Sequence, residues 1–373
     1  MSGIYLHIPF CDTKCIYCDF YSITEHSKKN ELINCLIKEI EAHSPSLSGK
    51  HFDTIFFGGG TPSLLSYDDF SRLFESLYSN LSISSKSEIT IEANPGTLNR
   101  KKLEQFKKLP VNRISFGVQS FSDSELKFLT RIHSAAQAIE SVKSAQDTGF
   151  ENINIDLIFA LPNQTAESWQ KTLEKAIELN TRHIAAYSLI YEEGTILYDL
   201  FKKKKVTKAD EDNERMMYDF TMKFLGNNGF EQYEVSNYSK PGYRCRHNLK
   251  YWERNEYIGF GPSAASFIDD NRRVNVRNLD EYINRVSSGV KTYDFIESID
   301  YPTSVYEYIF LGLRSSGINL KEFNRRYGFD FENKYKDTVK LLTENKLAYK
   351  NKSAFTLTSK GYAVCDEILS SFF

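Results

Sequence analysis

No stretch of the 373-residue chain is apolar for long enough to cross a bilayer as a helix, and no charged segment followed by an apolar one marks its start. These absences exclude a stable membrane span and lead us to expect a cytoplasmic protein. An excess of one charge is missing too. Forty-seven basic residues nearly cancel forty-nine acidic ones, so net charge gives no reason to expect nucleic acid. No G-x-G-x-x-G opens a helix after a first strand, which removes the usual dinucleotide fingerprint. Six cysteines, three of them bunched, suit a reducing compartment better than a disulfide framework. What remains is ordinary globular composition, 41% hydrophobic and 26% charged, in a chain long enough for two or three domains.

The bunched cysteines follow a short strand. Ile4, Leu6 and Ile8 alternate with Tyr5 and His7, Pro9 ends the pattern, and Cys11, Cys15 and Cys18 follow as C-x3-C-x2-C. Three thiolates so placed can wrap a zinc ion or an iron–sulfur cluster. A closed zinc site needs four ligands, usually two C-x2-C pairs, and Cys35, Cys245 and Cys365 each stand alone. A [4Fe–4S] cluster on three cysteines leaves one iron open to a ligand, and this is the reading we favour.

Downstream, strand and helix patterns alternate. Strands are expected near 53–57, 88–92, 113–118, 152–158 and 182–189. Helices are expected at 28–43, 67–80, 99–108, 122–130, 134–147, 165–178 and 210–228. With the first strand this makes six strand–helix units, the pattern of an α/β parallel sheet with outer helices. Polar residues gather at the strand ends: Gly58-Gly59-Gly60-Thr61-Pro62, Glu92, Gln119, Arg131 and Asp156. Taken singly, each could be a turn residue or a solvated edge group. Lys202–Lys205 reads as solvated.

From residue 229 the rhythm stops. A strand is expected over 230–237. Arg244 to Trp252 then combines bases, aromatics and His247, and the small residues from Gly259 to Ser266 would let something large approach. Helices near 302–314, 319–327, 331–345 and 359–372 with strands at 347–350 and 354–357 suggest a winged-helix-like end, without a basic face that would indicate nucleic acid. We therefore divide the chain into a core (1–229), a connecting region (230–300) and a C-terminal domain (301–373).

C-x3-C-x2-C with Tyr17 before the third cysteine resembles the signature of the radical S-adenosylmethionine (SAM) proteins. The resemblance implies an open, three-quarter (β/α)6 barrel and a [4Fe–4S] cluster whose open iron chelates SAM, with an electron donor to reduce it. The Gly-Gly-Thr-Pro segment, Glu92, Gln119, Arg131 and Asp156 are similar to the SAM-surrounding residues of the anaerobic coproporphyrinogen oxidase (HemN-like) branch. This implies SAM contacts for Gly59, Gly60 and Thr61 as well as those four residues, and for the aromatics Tyr5 and Tyr17. Two functions stay open. One is an enzyme that decarboxylates coproporphyrinogen III to protoporphyrinogen IX. The other is a carrier resembling the HemW-type haem chaperones, passing haem to an acceptor protein. Phe20 stands where the oxidase pattern has a further cysteine, and ten residues precede Cys11 here, where the oxidase carries a long N-terminal extension. His247-Asn248-x-x-Tyr251-Trp252 is similar to a motif of the chaperone branch. These features favour the carrier. His247 could ligate haem iron, with Cys245 as the alternative, while Arg244, Arg246 and Lys250 pair with propionates. The competing role for His247 is a hydrogen bond within its loop.

Overall fold

Residues 1–372 are described in a computed structural model. β1 (Ser2–Ile8) leads through the cysteine loop to α1 (Lys29–His43), β2 (His51–Gly59) to α2 (Tyr67–Asn80), and β3 (Ser82–Ala93) to α3 (Arg100–Phe106). β4 (Arg113–Gln119) precedes α4 (Asp123–Phe128) and α5 (Ala135–Asp147). β5 (Asn152–Phe159) precedes α6 (Ala166–Glu178), and β6 (His183–Ser188) precedes α7 (Ile196–Lys202) and α8 (Glu211–Asn227). The six strands pair in parallel in chain order, so their carboxyl ends share one rim.

Alternation along each strand decides what faces where. In β2, Phe57 packs edge-on to Phe70 and Phe74 of α2, at 5.1 and 5.4 Å between ring centroids. Thr54, Phe56 and Gly58 fall on the opposite face, inside the barrel. Local signals set the helix starts: Ser66 with Asp69 and Ser134 with Gln137 form capping boxes at α2 and α5. The lysines at 202–205 are exposed.

The next segment completes the same sheet instead of forming a layer of its own. It contains β7 (Glu231–Gln232), β8 (Asn237–Ser239), α9 (Arg246–Trp252), β9 (Tyr257–Phe260), β10 (Ala265–Ile268), β11 (Asn271–Val274), α10 (Leu279–Ser287) and β12 (Glu297–Ser298). β8 and β7 extend the sheet beyond β6, β9 pairs in parallel with β1, and β10 to β12 continue outward, giving twelve strands. The strand expected over 230–237 is therefore two, interrupted at Glu234, which turns inward and is buried. Glu39 of α1 fastens this segment. Its fully buried carboxylate accepts from Gly261 N (2.8 Å), Tyr282 Oη (2.7 Å), Asn275 Nδ2 (2.8 Å) and Thr292 Oγ1 (3.0 Å). The small residues at 259–266 serve close packing. A Cβ on Gly261 would stand 2.6 Å from the His7 carbonyl, and one on Gly259 would strike that of Ala265.

The C-terminal part has a separate apolar core around Phe323, Phe331 and Phe355. Its elements are α11 (Tyr301–Leu313), β13 (Ile318–Asn319), α12 (Leu320–Tyr327), α13 (Phe331–Lys334), α14 (Lys336–Glu344), β14 (Ala348–Lys350), β15 (Ala354–Leu357), α15 (Ser359–Tyr362) and α16 (Cys365–Ser370). The order β13-β15-β14 makes a winged-helix-like sheet, one strand richer than the sequence suggested. The helices expected at 331–345 and 359–372 are broken at Tyr335 and Val364. Among the described residues no helix is long and apolar enough to cross a membrane.

Candidate functional site

The carboxyl ends of the barrel strands open on a cavity of about 230 Å³. Cys11, Cys15 and Cys18 line one wall with Tyr17, while Gly59, Gly60, Glu92, Gln119, Arg131 and Asp156 line the rest. Backbone pairing places the cysteine loop there. Gly60 N donates to Ile8 O (2.8 Å), Thr61 N to Phe10 O (2.7 Å) and Cys11 N to Ile23 O (2.9 Å). Gly60 must be glycine, because a Cβ would lie 2.7 Å from Phe10 O and from the Pro9 carbonyl carbon. The three thiols stand around one cavity, where a closed zinc site would need four ligands. That donor set fits a multi-iron cluster and not a closed zinc site. Burial pushes the Cys18 thiol up to about 11 and the Cys11 thiol upward, so a metal centre must displace protons on binding.

Arg131 crosses the cavity. It donates to Cys15 Sγ (3.3 Å), Asn94 Oδ1 (2.5 Å) and Gly117 O (2.8 Å), while its Nε is buried without a partner. Opposite, Glu92 Oε2 accepts from Gly59 N at 3.2 Å. Burial, then the charge of nearby Asp156, raises the Glu92 carboxyl to about 8. Burial likewise raises Asp156, which accepts from Asn154 Nδ2 at 2.7 Å and Ser115 Oγ at 3.4 Å. Gln119 closes β4 with φ at 68°, and Arg131 follows Thr130 at 56°. Such left-handed residues concentrate where function over-determines the backbone. Two carboxyls raised by burial, a closely approaching glycine backbone and one guanidinium form a cradle for a small ligand carrying both charges.

The chain matches the radical SAM superfamily over residues 5–176 and the HemN C-terminal domain over 302–364. It is 35% identical to the heme chaperone HemW of Bacillus subtilis across 100% of this chain and 99% of that protein. Against the heme chaperone HemW of Escherichia coli, identity is 40% over 70% of this chain and 69% of that protein. The chain belongs to the HemW family of radical SAM proteins. A solved structure of coproporphyrinogen III oxidase (HemN) from Escherichia coli, described as a radical SAM enzyme, superposes with a TM-score of 0.84. It covers 100% of this chain and 90% of its own at 23% identity, a likeness that shows the fold.

Two residues expected at SAM stand behind the cavity of this HemW-family chain. Thr61 is buried and donates to Cys11 Sγ (3.4 Å) while accepting from Asn94 Nδ2 (2.8 Å). Tyr5 lies beneath Gly58 and bonds His7 Nδ1 through its hydroxyl at 3.1 Å. Asn94, which joins Thr61 to Arg131, was missed, although Asn94-Pro95-Gly96 at a strand end was its signal. Gly117 was missed as well. It lines the cavity, and a Cβ there would meet Gln119 Nε2 at 2.9 Å.

His247 requires a correction. It is not in the cavity and presents no free nitrogen to haem. The side chain is 1% exposed, with Nδ1 on Thr54 Oγ1 and Nε2 on Tyr251 Oη, both at 2.9 Å. The structure gives it the competing hydrogen-bonding role. Cys245 is buried against Glu88. The bases offered to propionates are paired: Arg246 and Lys250 with Asp53 at 2.8 Å, and Arg244 with Glu231 at 3.1 Å. The physical reason is that α9 packs on the amino ends of β2 and β3, so His247 and Lys250 point into protein while the exposed Arg246 is drawn to Asp53.

Proposed function

We propose that this protein is a cytoplasmic haem chaperone that holds a [4Fe–4S] cluster and SAM and delivers haem to an acceptor protein. The observation that carries this is the full-length likeness to relatives named heme chaperone HemW, in a chain with Phe20 at the position of the oxidase's additional cysteine. Cys11, Cys15 and Cys18 would hold the cluster, and Gly59, Gly60, Glu92, Gln119, Arg131 and Asp156 would surround SAM, with Thr61 and Tyr5 supporting them from behind. When bound, this pair supplies one-electron cleavage of SAM to methionine and a 5′-deoxyadenosyl radical. The chain's own part is electrostatic. Arg131 places positive charge beside Cys15, and burial raises both the Glu92 and Asp156 carboxyls, so an arriving cationic group would favour their ionised forms. Phe20, 67% exposed, places an aromatic side chain at the mouth beside Lys14 and Asp19.

The test is anaerobic cluster reconstitution, then parallel assays with SAM and a reductant acting as electron donor. Haem binding followed by the Soret band, and haem passage to a haem-free acceptor, are expected without conversion of coproporphyrinogen III. Protoporphyrinogen formed at many turnovers per molecule would replace the carrier with the oxidase.

A further inference from the structure

The motif helix α9 lies at the far end of the barrel from the cavity, yet two continuous columns of side chains join them. The first is aromatic. The His247 ring stacks on Phe56 (5.1 Å, 26°) and lies near-parallel to Tyr5 (6.5 Å, 28°), with Tyr5 and Phe56 6.3 Å apart. Both of these rings abut Gly58, where an added Cβ would stand 3.0 Å from each and 3.0 Å from Glu92 Oε2. The register of β1 on β2 explains the stack: Gly3 faces Thr54, Tyr5 faces Phe56 and His7 faces Gly58. Gly3 leaves room for the His247 ring, which a Cβ would approach to 3.2 Å.

The second column is a directed hydrogen-bond chain. Cys245 N–H, at the start of α9, donates to Tyr233 Oη (3.2 Å), and Tyr233 Oη bonds His183 Nε2 (2.7 Å). His183 Nδ1 bonds Asn154 Oδ1 (2.5 Å), whose Nδ2 donates to Asp156 Oδ1 (2.7 Å). One assignment satisfies every link. Tyr233 gives its proton to Nε2, and the imidazole, protonated at Nδ1, gives its own to Asn154. Asn154 is then oriented with its amide nitrogen toward Asp156. The aromatic stack thus ends beside Gly58, whose vacant side-chain position Glu92 Oε2 also borders, and the hydrogen-bond chain ends on Asp156.

α9 is itself held rigidly. Glu88 of β3 accepts from Arg246 N (3.1 Å) and His247 N (3.0 Å), and Lys250 also reaches Met1 O (2.9 Å). We propose that α9, which carries the His247–Trp252 motif, is a positioning element for the SAM cavity, holding Asp156 through Cys245 N, Tyr233, His183 and Asn154 and packing the floor beside Gly58 and Glu92 through the His247–Phe56–Tyr5 stack. This rests on the reading that SAM occupies the cavity. His247 and Tyr233 are positioning residues, since neither touches that ligand.

The experiment uses the full chain with its cluster reconstituted anaerobically. Equilibrium SAM binding, the SAM-induced change in the reduced cluster's electron paramagnetic resonance spectrum, and haem binding are measured side by side. Tyr233→Phe removes one hydroxyl and should weaken SAM by roughly tenfold, the worth of one buried hydrogen bond. His247→Ala should weaken SAM by at least as much and alter the SAM-bound spectrum. His247→Gln, able to reach Thr54 or Tyr251, should recover part of both. Haem affinity should stay within twofold of wild type in all three. The proposal is overturned if His247→Ala abolishes haem binding while SAM affinity and spectrum are unchanged, or if Tyr233→Phe binds SAM like wild type. Should His247→Ala not fold, Tyr233→Phe decides alone. A wild type whose spectrum ignores saturating SAM would instead defeat the reading of the cavity itself.

Discussion

At its amino end β2 offers Asp53 and Thr54, and both are consumed: Asp53 by Arg246 and Lys250, Thr54 by His247. At its carboxyl end the same strand offers Gly58 to Gly60, where the backbone approaches a cavity that also holds the unpartnered Arg131 Nε and two carboxyls raised by burial. One end pairs charge with charge inside protein. The other keeps a guanidinium, thiols and acids around a space. Polar residues of similar type do different work at the two ends, and what separates them is whether the hydrogen-bonding capacity is already spent.

The strongest break of this contrast falls on the cysteine loop. Cys11→Ala, Cys15→Ala or Cys18→Ala should each abolish cluster absorbance after anaerobic reconstitution, while Cys35→Ala, Cys245→Ala and Cys365→Ala retain it. Stoichiometric zinc without iron in the anaerobically purified wild type would sink the cluster.

Gly60→Ala comes next. The added methyl meets the Pro9–Phe10 backbone, so its effect passes through the loop and not through contact with a ligand. A cost on the order of 2 kcal/mol in stability is expected from overpacking against backbone, together with lowered cluster occupancy. Gly49→Ala is a weak control for space: a Cβ there meets nothing within 4 Å, though its φ of 81° still brings strain. Chemical denaturation and iron content would show whether Gly60→Ala loses more of both than Gly49→Ala does.

These two ends were unequally legible in the sequence. The cysteine spacing, the Gly-Gly-Thr-Pro turn and the acids at strand ends are local signals, and strand periodicity already puts them on one rim. The destination of His247 was hidden because its partners lie far away in sequence. Thr54 is 193 positions distant and Glu88, which holds its backbone, 159. Arg246 and Lys250 looked free for propionates only because Asp53 could not be seen opposite them. β7 and β8 read as one strand because inward-turning Glu234 interrupts a pattern that otherwise alternates. Neither Tyr335 nor Val364 announces the break in its helix.

Glu92→Gln sharpens the cavity side. The Glu92 carboxyl sits at about 8 in the unliganded protein, so a cationic ligand that prefers the ionised form must release a proton below that pH. SAM affinity of the wild type should therefore rise relative to the variant between pH 6.5 and 8 and then run parallel to it. Parallel profiles across the whole range would remove Glu92 from the binding charge.

The smallest effect compares the two ends through stability of the cluster-free chain. Burial holds His247 at about 3 and His43 at about 4, below the usual 6.5 of an imidazole. The unfolded chain then binds more protons than the folded one between those values and 6.5. Their stabilisation is full above pH 6.5 and is lost as pH falls through 4, at most about 3 kcal/mol for an imidazole held near 4. Glu92 works in the opposite sense. Its folded carboxyl keeps a proton that the unfolded chain releases near 4.5, so its contribution weakens as pH rises from there to 8. His43→Gln should flatten the acid-side fall of the urea midpoint between pH 6.5 and 5. Glu92→Gln should steepen it, because the group that favoured the low-pH fold is gone. Equal slopes in the two variants would mean that neither burial survives in solution as the structure draws it.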